Sequence, residues 1–165
     1  MKKRIYAICA LATLGVIVDA GFIKSASGNV TSLKYDAYIT HSEEYPQWLK
    51  PHAGNVVRQS FELDIPSNSN AISQIDIAIP DGLKVSKKIT VSNSGQDIGA
   101  NVSINGNKII IDFPQTVSPG AKLKINMNKV KMVQVHNYWI YRVSIKPIGN
   151  DVEIPVGEVS YRAYL

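Results

Sequence analysis

Odd–even alternation of apolar and polar residues runs through most of the chain, and a period of two admits only strands with one buried and one wet face. In Ser60–Ile65, Phe61, Leu63 and Ile65 alternate with Ser60, Glu62 and Asp64. Ile75, Ile77 and Ile79 share a face opposite Gln74, Asp76 and Ala78, and Leu123, Ile125 and Met127 alternate with Lys122, Lys124, Asn126 and Asn128. Trp139, Tyr141, Val143 and Ile145 oppose Arg142, Ser144 and Lys146, with Tyr138 and Ile140 on the outer side. After residue 30 no stretch sustains the apolar stripe of an amphipathic helix. The fold is expected to be all-β.

Turn chemistry supports this. Asn105-Gly106 predicts a two-residue type I′ hairpin, with Ile104 opposite Asn107 and Val102 opposite Ile109. Pro80-Asp81-Gly82 and Ser118-Pro119-Gly120 read as tight turns, because Pro presets φ and Gly accepts the left-handed position. Asn93-Ser94-Gly95 and Pro147-Ile148-Gly149 are looser signals of the same type. Past Asn128 the parity slips, since Val130 and Met132 are apolar at even numbers, and a β-bulge near Asn128–Lys129 is expected. Lys122, Lys124, Lys129 and Lys131 then line an exposed or edge strand. Protection of an edge against strand-on-strand aggregation is the preferred reading of these lysines, and an anion-binding stripe is the other.

Strands are expected at Leu33–Ile39, Val56–Ile65, Ile72–Ile79, Ile89–Val91, Val102–Ile104, Asn107–Phe113, Lys122–Asn128, Asn137–Lys146 and Val159–Tyr164. About nine short strands of this spacing fit an immunoglobulin-like two-sheet β-sandwich. A closed barrel would show the same alternation.

The chain starts differently. Met1-Lys2-Lys3-Arg4 precedes an apolar run from Ile5 to Val18, 14 residues ending at Asp19. As a helix this run is about 21 Å long, short for a bilayer core of about 30 Å and suited to a signal peptide. Cleavage is expected after Ser27, or alternatively after Ala20, leaving residues 28–165 as one β-sandwich domain with no stable membrane span. An uncleaved anchor is the competing reading. The sole cysteine, Cys9, lies inside the leader, so the mature domain needs no disulfide. Over the whole chain the formal charge is +5. Residues 28–165 hold 14 Lys and Arg against 12 Asp and Glu, a net +2, and the argument for a nucleic-acid partner falls away.

Phe61-Glu-Leu-Asp-Ile-Pro66, Ile72-Ser-Gln-Ile-Asp-Ile77, Ile109-Ile-Ile-Asp-Phe-Pro114 and Val117-Ser-Pro-Gly120 occur in that order, followed by Tyr141-Arg-Val143, Pro155-Val-Gly157 and Arg162-Ala-Tyr164. From about Phe61 to the end the sequence resembles an uncharacterised, mostly cyanobacterial family of exported proteins, domain-of-unknown-function family 2808. The resemblance implies a signal peptide and a single β-rich domain, and it supplies no catalytic residues.

Local enzyme signatures such as G-x-S-x-G, H-E-x-x-H and the P-loop are missing from the sequence. No enzymatic activity and no cofactor are expected, with a hydrolase whose site is distributed over several strands as the alternative. The segment from His41 to His52 holds two histidines, Glu43, Glu44, Tyr45 and Trp48 between two expected strands. Read as a loop, it either presents Tyr45 and Trp48 to a sugar or a partner, or folds Trp48 down as a plug. Tyr138, outward by parity, joins these two as a candidate ligand-binding residue. His41, His52 and His136 are the alternative metal set, for zinc or copper. Asn29-Val-Thr31 and Asn101-Val-Ser103 match glycosylation sequons and are read as coincidental. The expectation is an exported protein of the periplasm or the exterior, binding envelope polysaccharide or another protein.

Overall fold

The computed structural model describes residues 38–45, there the backbone and the Ile39 side chain, and residues 54–162. The expected signal peptide, residues 33–37 of the first expected strand, Trp48, His52 and the end at Tyr164 lie outside the described residues.

Among the described residues eleven strands follow one another: β1 (Tyr38–Tyr45), β2 (Val56–Asp64), β3 (Ile72–Ala78), β4 (Leu83–Val85), β5 (Ile89–Asn93), β6 (Gln96–Ile98), β7 (Asn101–Asn105), β8 (Lys108–Val117), β9 (Lys122–Met132), β10 (Tyr138–Pro147) and β11 (Ile154–Arg162). All pairings are antiparallel. One sheet runs β1-β2-β9-β5-β6, with β4 also on β9, and the other runs β11-β10-β3-β8-β7. This is a two-sheet sandwich, not the barrel alternative. It has two strands more than expected, β4 and β6, each only three residues long.

Alternation places the core where parity indicated. Phe61, Leu63, Ile75, Ile77, Ile109, Ile111, Leu123, Ile125, Met127, Trp139, Tyr141, Val143 and Ile145 are all buried between the sheets. The parity slip in β9 is a bulge. Val57 pairs with Val130 but Gln59 with Met127, so Asn128 and Lys129 are both exposed and Val130 and Met132 turn back into the core. On the other side of β9 the same bulge separates β5, which ends its pairing at Met127, from β4, which begins at Val130.

The structure corrects three expectations. The β7–β8 hairpin turns on Gly106-Asn107, with Asn105 opposite Lys108, Ile104 opposite Ile109 and Val102 opposite Ile111. Gly106 sits at φ 58° and Asn107 is not at positive φ, the pattern of a type II′ turn with Gly at the first central position. The shift of two residues keeps every side chain on its face. The turn with two positive φ angles is instead Ser94-Gly95, at 50° and 86°, joining β5 to β6 through the pair Asn93–Gln96. Secondly, β1 extends to Tyr45, so His41–Tyr45 is strand, not loop. Thirdly, β9 is flanked by β2 on one side and by β4 and β5 on the other. It is a central strand, and its lysines protect no edge. Edge protection is visible on β11, where Pro155 and a bulge opposite Val143–Ser144 interrupt the ladder.

Candidate functional site

One end of the sandwich gathers exposed apolar side chains. The chain leaves β9 at Met132 and reaches β10 at Tyr138 through Val133, Gln134, Val135, His136 and Asn137. Val133 is 42% exposed, Val135 41% and Tyr138 60%. Val56, at the start of β2 and 44% exposed, lies opposite Lys131 one residue before β9 ends.

Backbone hydrogen bonds hold this end in shape. Val133 N and Gln134 N both donate to Gly82 O, at 2.7 and 3.1 Å, tying the loop to the Pro80-Asp81-Gly82 turn. Gly54 N donates to Met132 O at 2.7 Å and Met132 N to Asn55 O at 2.8 Å. The His136 ring lies over Gly82 and packs edge-on to Trp139, with centroids 6.4 Å apart. The loop is therefore a fixed surface whose apolar side chains point out because the inward positions are already taken by Met132 and Trp139.

The proposed site residues fall as follows. Tyr138 is exposed at this end, as parity indicated. Tyr45 closes β1 with its backbone opposite Arg58, two residues along β2 from Val56. Trp48 and His52 lie outside the described residues. His41 pairs with Glu62, level with Lys124 of β9. His136 lies beyond Met132, eight residues further along β9, or roughly 25 Å at about 3.3 Å per residue. The backbone does not bring His41 and His136 together. Among the described residues no three His, Cys, Asp or Glu side chains form a group able to hold a metal ion.

Sequence reasoning missed a second feature, on the outer face of the β3 sheet. Asp76 is 2% exposed, and Gln74 Nε2 donates to both of its carboxylate oxygens at 2.9 Å. Burial raises the Asp76 pKa above its ordinary value, opposed by the Gln74 hydrogen bond; Glu153 adds to the rise, Lys108 opposes it and Asp112 adds to it. Lys108 Nζ meets both oxygens of Glu153 at 2.8 Å, which raises the Lys108 pKa. Parity alone gives Asp76 a wet side; its burial comes from the side chains packed over it, which no local pattern announces. A cleft of about 490 Å³ lies between β6 and the end of β8, with Asp97 as its ionisable lining residue.

The model of one protein family, described as Protein of unknown function (DUF2808), matches residues 44–157. The chain belongs to this family. No curated protein sequence matches it. Among solved structures it is similar to BslA, a bacterial hydrophobin, at 12% identity and TM-score 0.52, over 78% of this chain and 98% of that one. It is also similar to the major pilin SpaD from Corynebacterium diphtheriae, at 16% identity and TM-score 0.54, over 74% of this chain and 35% of the pilin. The pilus backbone protein RrgB from Streptococcus pneumoniae matches at 10% identity and TM-score 0.50, over 77% of this chain and 75% of that one. At these identities the likeness is one of fold. This DUF2808 chain is a sandwich of the kind used in surface pilins and a hydrophobin. Its described residues include no helix long and apolar enough to cross a membrane.

Proposed function

We propose that this DUF2808 protein is exported and works without catalysis as a contact module of the cell envelope, through the β9–β10 end of its sandwich. The observation that carries the reading is Tyr138, 60% exposed at the start of β10, directly after a loop that is fastened at Gly82 and exposes Val133 and Val135. A clustered apolar surface rimmed by polar groups marks a contact site more often than it serves stability, and Tyr supplies contact area at low entropic cost. The leader sequence and the surface proteins among the structural neighbours support the compartment. Envelope polysaccharide or an envelope protein is the partner class.

Co-sedimentation of the purified protein with washed envelope preparations tests this. The triple variant Val133→Ser, Val135→Ser, Tyr138→Ser is expected to stay in the supernatant while the wild type pellets. Equal pelleting of the two would remove this end from the account. The metal-handling alternative rests on His41, His52 and His136, and no observation favours it over the apolar end.

A further inference from the structure

Strand β9 carries two opposite charge arrangements along its outer face. Near its start Lys122 lies opposite Asp64 and Lys124 opposite Glu62, with Lys124 Nζ 3.8 Å from Glu62. Toward its end the matching stops. Lys131 lies opposite Lys84 of β4, and Arg58 of β2 sits beside the bulge residues Asn128 and Lys129. Lys87 and Lys88 follow β4 after Ser86, and their loop is fastened to the bulge: Ser86 N donates to Lys129 O and Asn128 N to Lys88 O, both at 3.0 Å.

Arg58, Lys84, Lys87, Lys88, Lys129 and Lys131 are all exposed. None of them makes an ion pair among the described residues, nor does Asp81 in the turn before β4 reach any of them. Lys108, Lys124, Arg142 and Lys146, by contrast, each meet a carboxylate. Like charges opposite one another on neighbouring strands are destabilising. β9 is a central strand, so edge protection accounts for neither Lys129 nor Lys131, although Lys84 stands on β4, which pairs only with β9. What remains is a local positive field in a domain whose net charge over residues 28–165 is only +2, and such a field favours an anionic partner.

The chemistry between the cations narrows the partner. Asn126, Asn128 and Thr90 supply amide and hydroxyl groups on the same face, and Val56 is its exposed large apolar residue. Lysines alone are also drawn to an anionic lipid surface, but amides and a hydroxyl set among the cations suit a chain of hydroxyls and acidic groups. We propose that the face formed by Arg58, Lys84, Lys87, Lys88, Lys129 and Lys131 binds an acidic polysaccharide, with the cations on its acidic groups and Asn126, Asn128 and Thr90 on its hydroxyls. The choice of polysaccharide over nucleic acid rests on the export reading above; the basic face does not.

Affinity electrophoresis of the purified protein in polygalacturonate, neutral dextran and duplex DNA tests this. Polygalacturonate should retard the wild type, dextran should not, and added salt should weaken the effect. Lys84→Gln, Lys129→Gln, Lys131→Gln together should cost roughly a hundredfold in affinity, some fivefold per cation. The corresponding triple Arg variant should bind like the wild type, as should Lys108→Gln, Lys146→Gln on the other sheet. Absence of retardation in polygalacturonate, or binding that survives the triple Gln substitution, overturns the proposal. Equally strong retardation by DNA overturns the assignment to polysaccharide. The Val133, Val135, Tyr138 variant should bind polygalacturonate normally, so failure of the apolar end and failure of the basic face are separate results.

Discussion

The Tyr141 hydroxyl donates a 2.6 Å hydrogen bond to Gln59 Oε1 in the fully buried space between the sheets, joining β10 of one sheet to β2 of the other. One residue along β2, Ser60 O accepts from the Tyr161 hydroxyl at 2.8 Å. The two tyrosine rings meet edge to face with centroids 5.7 Å apart. A glutamine inside an otherwise apolar core is tolerated because buried polar groups are costly only when left unpaired.

Tyr141→Phe should therefore destabilise the domain by about 1–3 kcal/mol, because it removes a donor from a buried acceptor. Urea denaturation would show a lower midpoint with an unchanged slope. Tyr161→Phe should act in the same direction, and the two losses should not add, since the rings touch. An unchanged midpoint in Tyr141→Phe would mean the bond contributes nothing to holding the sheets together.

Asp76 gives the stability a pH dependence of defined sign. Its folded pKa is raised above the ordinary 3.8, so on titration the folded state keeps this proton longer than the unfolded state. The contribution is full below about 3.8 and is lost as pH rises through the folded value. Asp76→Asn should be more stable than the wild type at neutral pH, and the two should converge as pH falls toward 4. Urea midpoints at several pH values decide it; a wild type that gains on the variant as pH rises would show the sign to be wrong.

Gly82 and Gly99 make a matched pair. Gly82 sits at φ +84°, and an added Cβ would lie 2.7 Å from the His136 ring. At Gly99 an added Cβ meets nothing within 4 Å, and no positive φ stands in the way. Thermal denaturation should find Gly82→Ala destabilised by more than about 1 kcal/mol and Gly99→Ala neutral or slightly stabilised. Equal effects would imply that His136 and the β9–β10 loop yield readily.

Local chemistry accounts for what the sequence made legible. Phe61, Leu63, Trp139 and Tyr141 announce their faces because alternation is a property of neighbouring residues, and Val130 after Met127 announces a bulge for the same reason. β4 and β6 are too short for any period to show. The His41–Tyr45 part of β1 is hidden because the register shifts between Ile39 and His41 and its sequence is largely polar. The hairpin at Gly106 was misjudged by two residues because Asn105-Gly106 and Gly106-Asn107 are both good turns, and only the pairing chooses between them. The lysines of β9 were misread because parity reports inside or outside, never which strand lies alongside. The like-charge neighbour Lys84 is 47 residues from Lys131 in sequence. The apolar end is half legible: Tyr138 stands out by parity, while the loop carrying Val133 and Val135 is set in place by the bonds of Val133 N and Gln134 N to Gly82 O.

Site-specific crosslinking in cells tests the central claim most directly. A photoreactive phenylalanine at Tyr138, at the contact end, should yield adducts in the envelope fraction, carried by a chain that has lost residues 1–27. The same group at Asp112, exposed on β8 of the same sheet, should yield few or none. Adducts found only in the cytosol, equal adducts from both positions, or none from Tyr138 would contradict an exported module that works through its β9–β10 end.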